Sequence, residues 1–176
     1  MEYAETETGN VEQYLSFTLG KELYGVPIST VREVIEYHQI APVPLASDTI
    51  QGVMNLRGNV ITVIDLSARL YGRRKHDAQN GVVIIAEIVD EGMPILIGML
   101  IDGVNAVVDL ARESVENEPE FGAKIRSDFI AHIGKMNGEF IIILNVMRVL
   151  DLEEFSAQNQ QTAENEVKSG AVKCTV

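Results

Sequence analysis

The sequence has 176 residues, of which 46% are hydrophobic, and a formal net charge of −12 at pH 7. This apolar content suffices for one compact domain or for two small ones that share an interface. The negative charge argues against nucleic acid as a partner, because phosphates would be repelled instead of releasing counterions to a basic surface.

The sequence indicates neither a membrane span nor a secretion signal. Its N-terminus, "MEYAETETGNVEQ", is acidic and polar, whereas a signal peptide combines a basic patch with an apolar core. The longest apolar runs, such as "FIIIL" at 140–144, have the length of a strand rather than the ~20 residues that a bilayer requires. We therefore expect a cytoplasmic protein with a flexible N-terminus (1–11) and a disordered tail (156–176), in which Cys174 is a solvated thiol.

Short β patterns dominate the chain from residue 13 onward. Runs rich in β-branched residues, separated by Gly, Pro, Asn and Asp, predict strands at 13–19, 23–28, 50–56, 59–66, 81–89, 94–101, 130–136 and 139–146. The 3.6-residue period predicts two short helices, "STVREVIEY" (29–37) and "VMRVLDLEEF" (146–155). In the first helix Val31, Val34 and Ile35 are expected to share one face. The composition is that of a mainly β protein.

An internal repeat organises these elements. Residues 47–70 align without a gap with 127–150, and 25–36 align with 98–109. Each copy holds about five short strands and a turn of helix, which is too little to be stable alone but enough to close a small barrel against its twin. The repeat predicts two related β-barrels side by side, the first over 12–80 and the second over 81–155.

The sequence offers no recognisable catalytic or cofactor site. It contains no phosphate-binding or dinucleotide-binding glycine motif, no nucleophile elbow and no Cys/His pair at metal spacing. Asp65 and Asp102 each follow an apolar strand, and we interpret both as helix N-caps rather than as a general acid/base pair. We expect no enzymatic activity, no metal and no cofactor.

Arg57 is an unexpected residue at the turn of "GVMNLRGNVITVIDL" (52–66). The second copy of the repeat has Asn137-Gly138 at this turn, a pair that tolerates positive φ at both central positions. Since arginine is strained at positive φ, the first copy is predicted to form a type II turn or a longer loop in which Gly58 alone has positive φ. Arg57 is then either a solvated cation or the partner of a carboxylate, for which we propose Glu33.

Three blocks resemble the signature of the CheW family, the bacterial chemotaxis coupling proteins. They are "LGKELYGVPISTVREVIEYHQIAPVP" (19–44), "IQGVMNLRGNVITVIDLSARL" (50–70) and "IGMLIDGVNAVVDL" (97–110), in the family's order. The resemblance spans about residues 12–152 and implies two five-stranded SH3-like β-barrels without enzymatic activity. It also implies a cytoplasmic adaptor, recruited to membrane-associated arrays, that bridges the tips of chemoreceptors (methyl-accepting chemotaxis proteins) to the regulatory domain of the histidine kinase CheA.

The resemblance assigns the contact residues by position. The kinase-facing surface on the first barrel would include Ile28, Val31 and Gly52. A second kinase contact, which closes rings in receptor arrays, would fall on Glu120 and Phe121. The receptor-facing groove between the barrels would include Arg57, Val82, Val104 and Val107.

Two other functions stay open at this point. A CheW-like coupler of a non-flagellar system that controls pili or gliding would carry the same sequence blocks. A small-ligand-binding β-barrel protein would use the groove between the barrels as its pocket.

Overall fold

The computed structural model describes residues 11–37, 39–72, 80–111, 115–116 and 125–154. These residues form mainly β-strands. The first half contains β1 (Val11–Leu19), β2 (Glu22–Pro27), β3 (Val31–Glu36), β4 (Ile50–Leu56), β5 (Asn59–Asp65) and helix α1 (Leu66–Tyr71). The second half contains β6 (Val82–Asp90), β7 (Met93–Ile101), β8 (Gly103–Ala111), β9 (Val115–Glu116), β10 (Ile130–Met136), β11 (Glu139–Leu144) and helix α2 (Val146–Val149).

The predicted strands are present, but the helix predicted at 29–37 is wrong. Its first residues form a 3-10 turn, Ile28–Thr30, and the chain then continues as β3. Along β3, partly buried and exposed residues alternate with the period of two that a strand requires. Because β6 pairs with this segment, its β-branched residues fit a pleated sheet better than an isolated helix.

The two aspartates interpreted as caps differ. The Asp65 side chain accepts a hydrogen bond from the Ala68 amide at 3.0 Å and caps α1, as predicted. Asp102 instead lies in the bend between β7 and β8, where its carboxylate accepts the Gly20 amide at 2.6 Å. The prediction of an N-cap at Asp102 is therefore wrong.

The strands form two sheets that exchange their hairpins. The first sheet has the order β8-β1-β2-β11-β10-β9, and the second has the order β3-β6-β7-β5-β4. The hairpin β1–β2 therefore joins the strands of the second half, and β6–β7 joins those of the first. The predicted division at residue 80 does not describe the sheets, because each of them takes strands from both sides of that boundary.

The two sheets obey the same plan. Replacing β3, β6, β7, β5 and β4 by β8, β1, β2, β11 and β10 converts one strand order into the other. The open edges also approach each other in the same way: Ala41, beyond β3, bridges Val53 on β4, while β9, beyond β8, pairs with β10. The sequence repeat is thus a structural repeat.

Each exchanged hairpin is held by a parallel strand pair with a glycine at the contact. Gly25 on β2 lies opposite Ile143 on β11, and Gly98 on β7 lies opposite Val63 on β5. These two pairs are equivalent in the repeat. A Cβ atom on Gly98 would lie 2.9 Å from Val83 Cγ1 and 3.0 Å from Val63 Cγ2, which is closer than carbon atoms pack. The absence of a side chain is therefore what lets the strands pack at this point.

Both sheets contribute to one shared core. Phe17, Tyr24 and Leu144 of the first sheet and Ile84 and Met99 of the second belong to the same buried cluster. The opposite faces enclose two smaller clusters, one around Val63, Val83 and Ile85 and the other around Tyr14, Ile141 and Ile143. Two curved sheets with separate interiors and a common interface agree with the predicted mainly β fold of two side-by-side units with short helices.

A buried arginine joins the helices of the two halves, and no sequence motif predicted it. Arg69 on α1 has a side chain that is 3% exposed and donates to the Val149 carbonyl at 2.8 Å and to Glu154 at 2.7 Å. Arg69 and Arg126 both place their guanidinium groups over the Phe129 ring, at 4.7 and 4.5 Å from its centroid. Arg126 also donates to Glu154 at 2.6 Å. The hydrogen bond from Arg69, and to a smaller extent that from Arg126, lowers the pKa of the Glu154 carboxyl. The arrangement ties the end of the described chain to α1.

Gly98→Ala tests the parallel contact. The added methyl group would press on Val63 and Val83, both of which are fully buried, so we expect a loss of about 1–3 kcal/mol in the free energy of unfolding. Gly103→Ala is the matched control, because a Cβ atom there meets only Thr18 Oγ1 at 3.9 Å. Urea denaturation of both variants measures the difference, and equal stability of the two would contradict the proposed close packing.

Candidate functional site

The turn between β4 and β5 has positive φ at both central residues. Arg57 has φ 50° and Gly58 has φ 88°, nearly the same as Asn137 (51°) and Gly138 (84°) in the second copy. The turn is closed by the pair Leu56 and Asn59, so it is a two-residue hairpin turn of type I′. The prediction of a type II turn or longer loop is wrong, since Arg57 itself adopts the left-handed conformation at a cost of about 1–2 kcal/mol.

Arg57 is bound to Glu33, the partner proposed for it from the sequence. Its two terminal nitrogens donate to the two carboxylate oxygens of Glu33 at 3.0 and 2.8 Å. Glu33 lies on β3 opposite Ile85 of β6, so the carboxylate is anchored in the sheet. Because β3 and β4 are the two edges of the second sheet, this fork-to-fork pair joins the β4–β5 turn to the far edge strand.

An open groove of about 1000 Å³ runs beside this ion pair, between β3 and β4. Its lining residues are Ile35, Glu36, Tyr37, Gln39, Met54, Asn55 and Leu56. The apolar members Ile35, Met54 and Leu56 belong to the smaller core inside the second sheet, so the groove exposes the rim of that core. An apolar floor with polar edges that opens widely to solvent has the character of a protein contact rather than of a closed ligand pocket.

The three kinase-facing residues predicted on the first barrel have structural roles as well. Ile28 and Val31 are partly buried and pack against the shared core. Gly52 is buried with φ 152°, and a Cβ atom on it would lie 2.2 Å from the Ala41 carbonyl oxygen. The missing side chain at Gly52 thus lets Ala41 come close enough to β4 to bridge Val53. The second predicted kinase contact, Glu120 and Phe121, lies outside the described residues.

The predicted receptor-facing residues are divided between the two sheets. Arg57 and Val82 belong to the second sheet, whereas Val104 and Val107 lie on β8 of the first. Val82 and Val104 are partly buried against the shared core. Val107 is 52% exposed and is therefore the apolar member of this set that is most available to a partner.

The ionisable groups of the described residues do not assemble a metal site. Within them no group of three or more His, Cys, Asp or Glu side chains is arranged to bind an ion. Tyr24 donates to Glu22 at 2.7 Å, and the Tyr71 hydroxyl contacts both. Burial raises the pKa of Tyr24 and of Tyr71 above the ordinary tyrosine value, so these hydroxyls remain protonated hydrogen-bond donors near neutral pH. No helix in the described residues is long and apolar enough to cross a membrane.

Comparison with known proteins defines the class of this chain. The CheW-like domain matches residues 13–154, and the chain belongs to that family. It is 30% identical to the chemotaxis protein CheW of Klebsiella aerogenes over 145 residues, which cover 82% of this chain and 85% of that protein. The corresponding values for CheW of Treponema pallidum are 27% identity over 146 residues, with 81% and 84% covered.

A solved structure gives the same result. The scaffolding protein TtCheW from Thermoanaerobacter tengcongensis matches with a TM-score of 0.69 and 31% identity, covering 80% of this chain and 93% of that one. The resemblance to the CheW family found in the sequence blocks is therefore confirmed, and the chain is a member of a family of chemotaxis scaffold proteins.

A double-mutant cycle of Arg57→Ala and Glu33→Ala measures whether the ion pair contributes to stability. We expect a coupling of roughly 0.2–1 kcal/mol, because the Arg57 side chain is 76% exposed and water screens the pair. Chemical denaturation of the four proteins gives this coupling. Strictly additive effects would mean that the two side chains do not support each other in solution.

Proposed function

We propose that this chain is a non-enzymatic adaptor that couples the cytoplasmic tips of chemoreceptors to the regulatory domain of the histidine kinase CheA. Membership of the CheW-like family supports this role, as do the names of its relatives, chemotaxis protein CheW and the scaffolding protein TtCheW. In this proposal the chain is cytoplasmic and joins membrane-associated receptor arrays. It acts by holding two proteins at fixed positions, with no chemical step of its own.

The observation that carries the proposal is the presentation of Arg57. A guanidinium group has five N–H donors, and Glu33 accepts two hydrogen bonds from it. The remaining donors face solvent on a side chain whose position is fixed by a tight turn and by an anchored carboxylate. Because the turn and Glu33 already restrict this side chain, it loses little conformational entropy on binding. This favours recognition of a carboxylate or carbonyl group on a receptor tip.

We propose the surface around Val82, Val104 and Val107 as the rest of the receptor surface. Val82 and Val104 border the shared core from opposite sheets, and Val107 extends the apolar surface along β8. A receptor tip that contacts both sheets would sense their relative position, which is fixed by the shared core. This gives the exchanged hairpins a role in keeping the receptor surface rigid.

We propose the region around Ile28, Val31 and Gly52 as the kinase surface. Since Val31 also packs on the shared core, Val31→Glu is expected to reduce stability together with kinase binding. The melting temperature of this variant must therefore be measured together with its kinase binding, so that a loss of binding can be distinguished from unfolding. Glu120 and Phe121 stay a prediction for the second kinase contact, tested by Phe121→Ser, which should spare the pairwise kinase complex and loosen ordered arrays.

Arg57→Asn separates the turn from the guanidinium group. Asparagine tolerates the left-handed conformation and occupies the equivalent position 137, so the turn is retained while the donors are lost. We expect binding of a soluble receptor-tip fragment to weaken about tenfold, whereas binding of the CheA regulatory domain changes less than about twofold. Calorimetric titrations with both partners provide the comparison. A variant that binds both as the natural protein does would remove Arg57 from the receptor surface.

Val107→Glu tests the apolar part of the receptor surface. Because Val107 is half exposed, a charge there should leave the fold intact and disfavour a desolvated contact with the receptor. Val11→Glu is the matched control, a valine of similar exposure, 55%, on β1 of the same sheet. We expect only the Val107 variant to lose receptor binding in pull-downs with a receptor-tip fragment. Equal losses in both variants would indicate a general charge effect.

A further inference from the structure

A second concave surface lies where the end of β6 meets α2. It is a cleft of about 200 Å³ lined by Ile88, Val89, Asp90, Met147, Leu150, Asp151, Leu152 and Glu153. Its floor is apolar, since Ile88 and Leu150 are buried members of the shared core. We call this set of residues the β6–α2 cleft. It lies beyond the part of β6 that pairs with β3, and none of the residues assigned above to the receptor or the kinase lines it.

Large apolar side chains surround the cleft and face solvent. Val89 is 57% exposed and Met147 is 54% exposed, although they come from elements far apart in sequence. Met93, which is 67% exposed, lies opposite Asp90 at the adjoining end of the β6–β7 hairpin. Convergence of such residues around a depression is the usual mark of an interaction surface, and flexible methionine side chains adapt to the shape of a partner.

The size of the cleft indicates what kind of group enters it. Pockets for metabolites and cofactors measure roughly 300–1,000 Å³, which is more than the space available here. A cleft of about 200 Å³ accommodates one large side chain and matches the way in which a protein partner buries a single anchor residue.

The charge of the rim indicates the residues that flank the anchor. Asp90, Asp151 and Glu153 surround the apolar floor, and no lysine or arginine is among the lining residues. Asp151 also accepts the backbone amides of Glu153 and Glu154 at 3.0 and 3.3 Å, which fixes its carboxylate at the rim. On a chain with a net charge of −12 this rim repels acidic segments and attracts basic ones.

We propose that the β6–α2 cleft is a docking site for a protein segment that carries one large apolar side chain flanked by lysine or arginine. The apolar anchor would fill the cleft between Val89 and Met147, and the flanking cations would face Asp90 and Glu153. This site is separate from the surfaces proposed for the receptor and the kinase, and it does not depend on them. It gives the adaptor a third contact for a partner of opposite charge.

A synthetic peptide with one phenylalanine between two lysine pairs tests the proposal on the full chain. We expect amide chemical shifts in a ¹H–¹⁵N spectrum to change at the end of β6, in α2 and at 151–153. Replacing the peptide's phenylalanine by serine should weaken binding about tenfold, and so should Met147→Ser. Asp90→Asn combined with Glu153→Gln should weaken binding and reduce its dependence on salt. Val60→Ser, at a residue that is 72% exposed on β5, is the control and should have no effect.

Three results would overturn this docking site. If the phenylalanine and serine peptides bind with equal affinity and only loss of the lysines weakens binding, the contact is non-specific attraction to an acidic surface. Shift changes confined to other elements would place the contact elsewhere. If Lys168→Glu with Lys173→Glu alters the cleft resonances before any peptide is added, the occupant is the chain's own C-terminal segment rather than a partner.

Discussion

The parallel contact between an exchanged hairpin and the opposite half of the chain is the constraint on which the rest of the structure depends. It places Gly25 against Ile143 and Gly98 against Val63, and these two contacts connect the separate halves of the sequence repeat. Each sheet is completed by strands of the other half, and one face of each sheet packs into the shared core. The positions of β3 and β8, which carry Val31, Val104 and Val107, follow from their pairing with the exchanged strands β6 and β1.

Arg57 shows how local preference and tertiary structure combine at the candidate site. A left-handed arginine is strained, but strain alone does not mark function, since Glu91 adopts the same conformation at the turn between β6 and β7. Arg57 differs because its guanidinium group is fixed by Glu33 across the open side of the sheet. The interpretation of this residue therefore depends on the ion pair, and the strain of the turn only shows that another interaction offsets it.

The repeat, the strands and the Arg57–Glu33 pair could be predicted from the sequence, but the exchange of hairpins could not. Alternation of apolar residues specifies which face of a strand is buried and does not specify which copy supplies its neighbour. The segment "STVREVIEY" satisfied a helical period by chance, and only its pairing with β6 makes it a strand. The role of Arg69 could not be predicted from the sequence either, because its partners Val149 and Glu154 are about eighty residues away in the chain.

The exchanged hairpins also determine when the protein can fold during its synthesis. The first half leaves the ribosome with β1 and β2, but their other neighbours, β8 and β11, are among the later segments to be made. The strands β3, β4 and β5 likewise wait for β6 and β7. The second sheet has all its strands once β7 is made, whereas the first waits until translation reaches β11, so the nascent chain carries unpaired strand edges for most of its elongation. The two copies of the repeat exchange hairpins in the way that two subunits do in a domain-swapped dimer. Here both copies belong to one polypeptide, so no association of separate chains is needed.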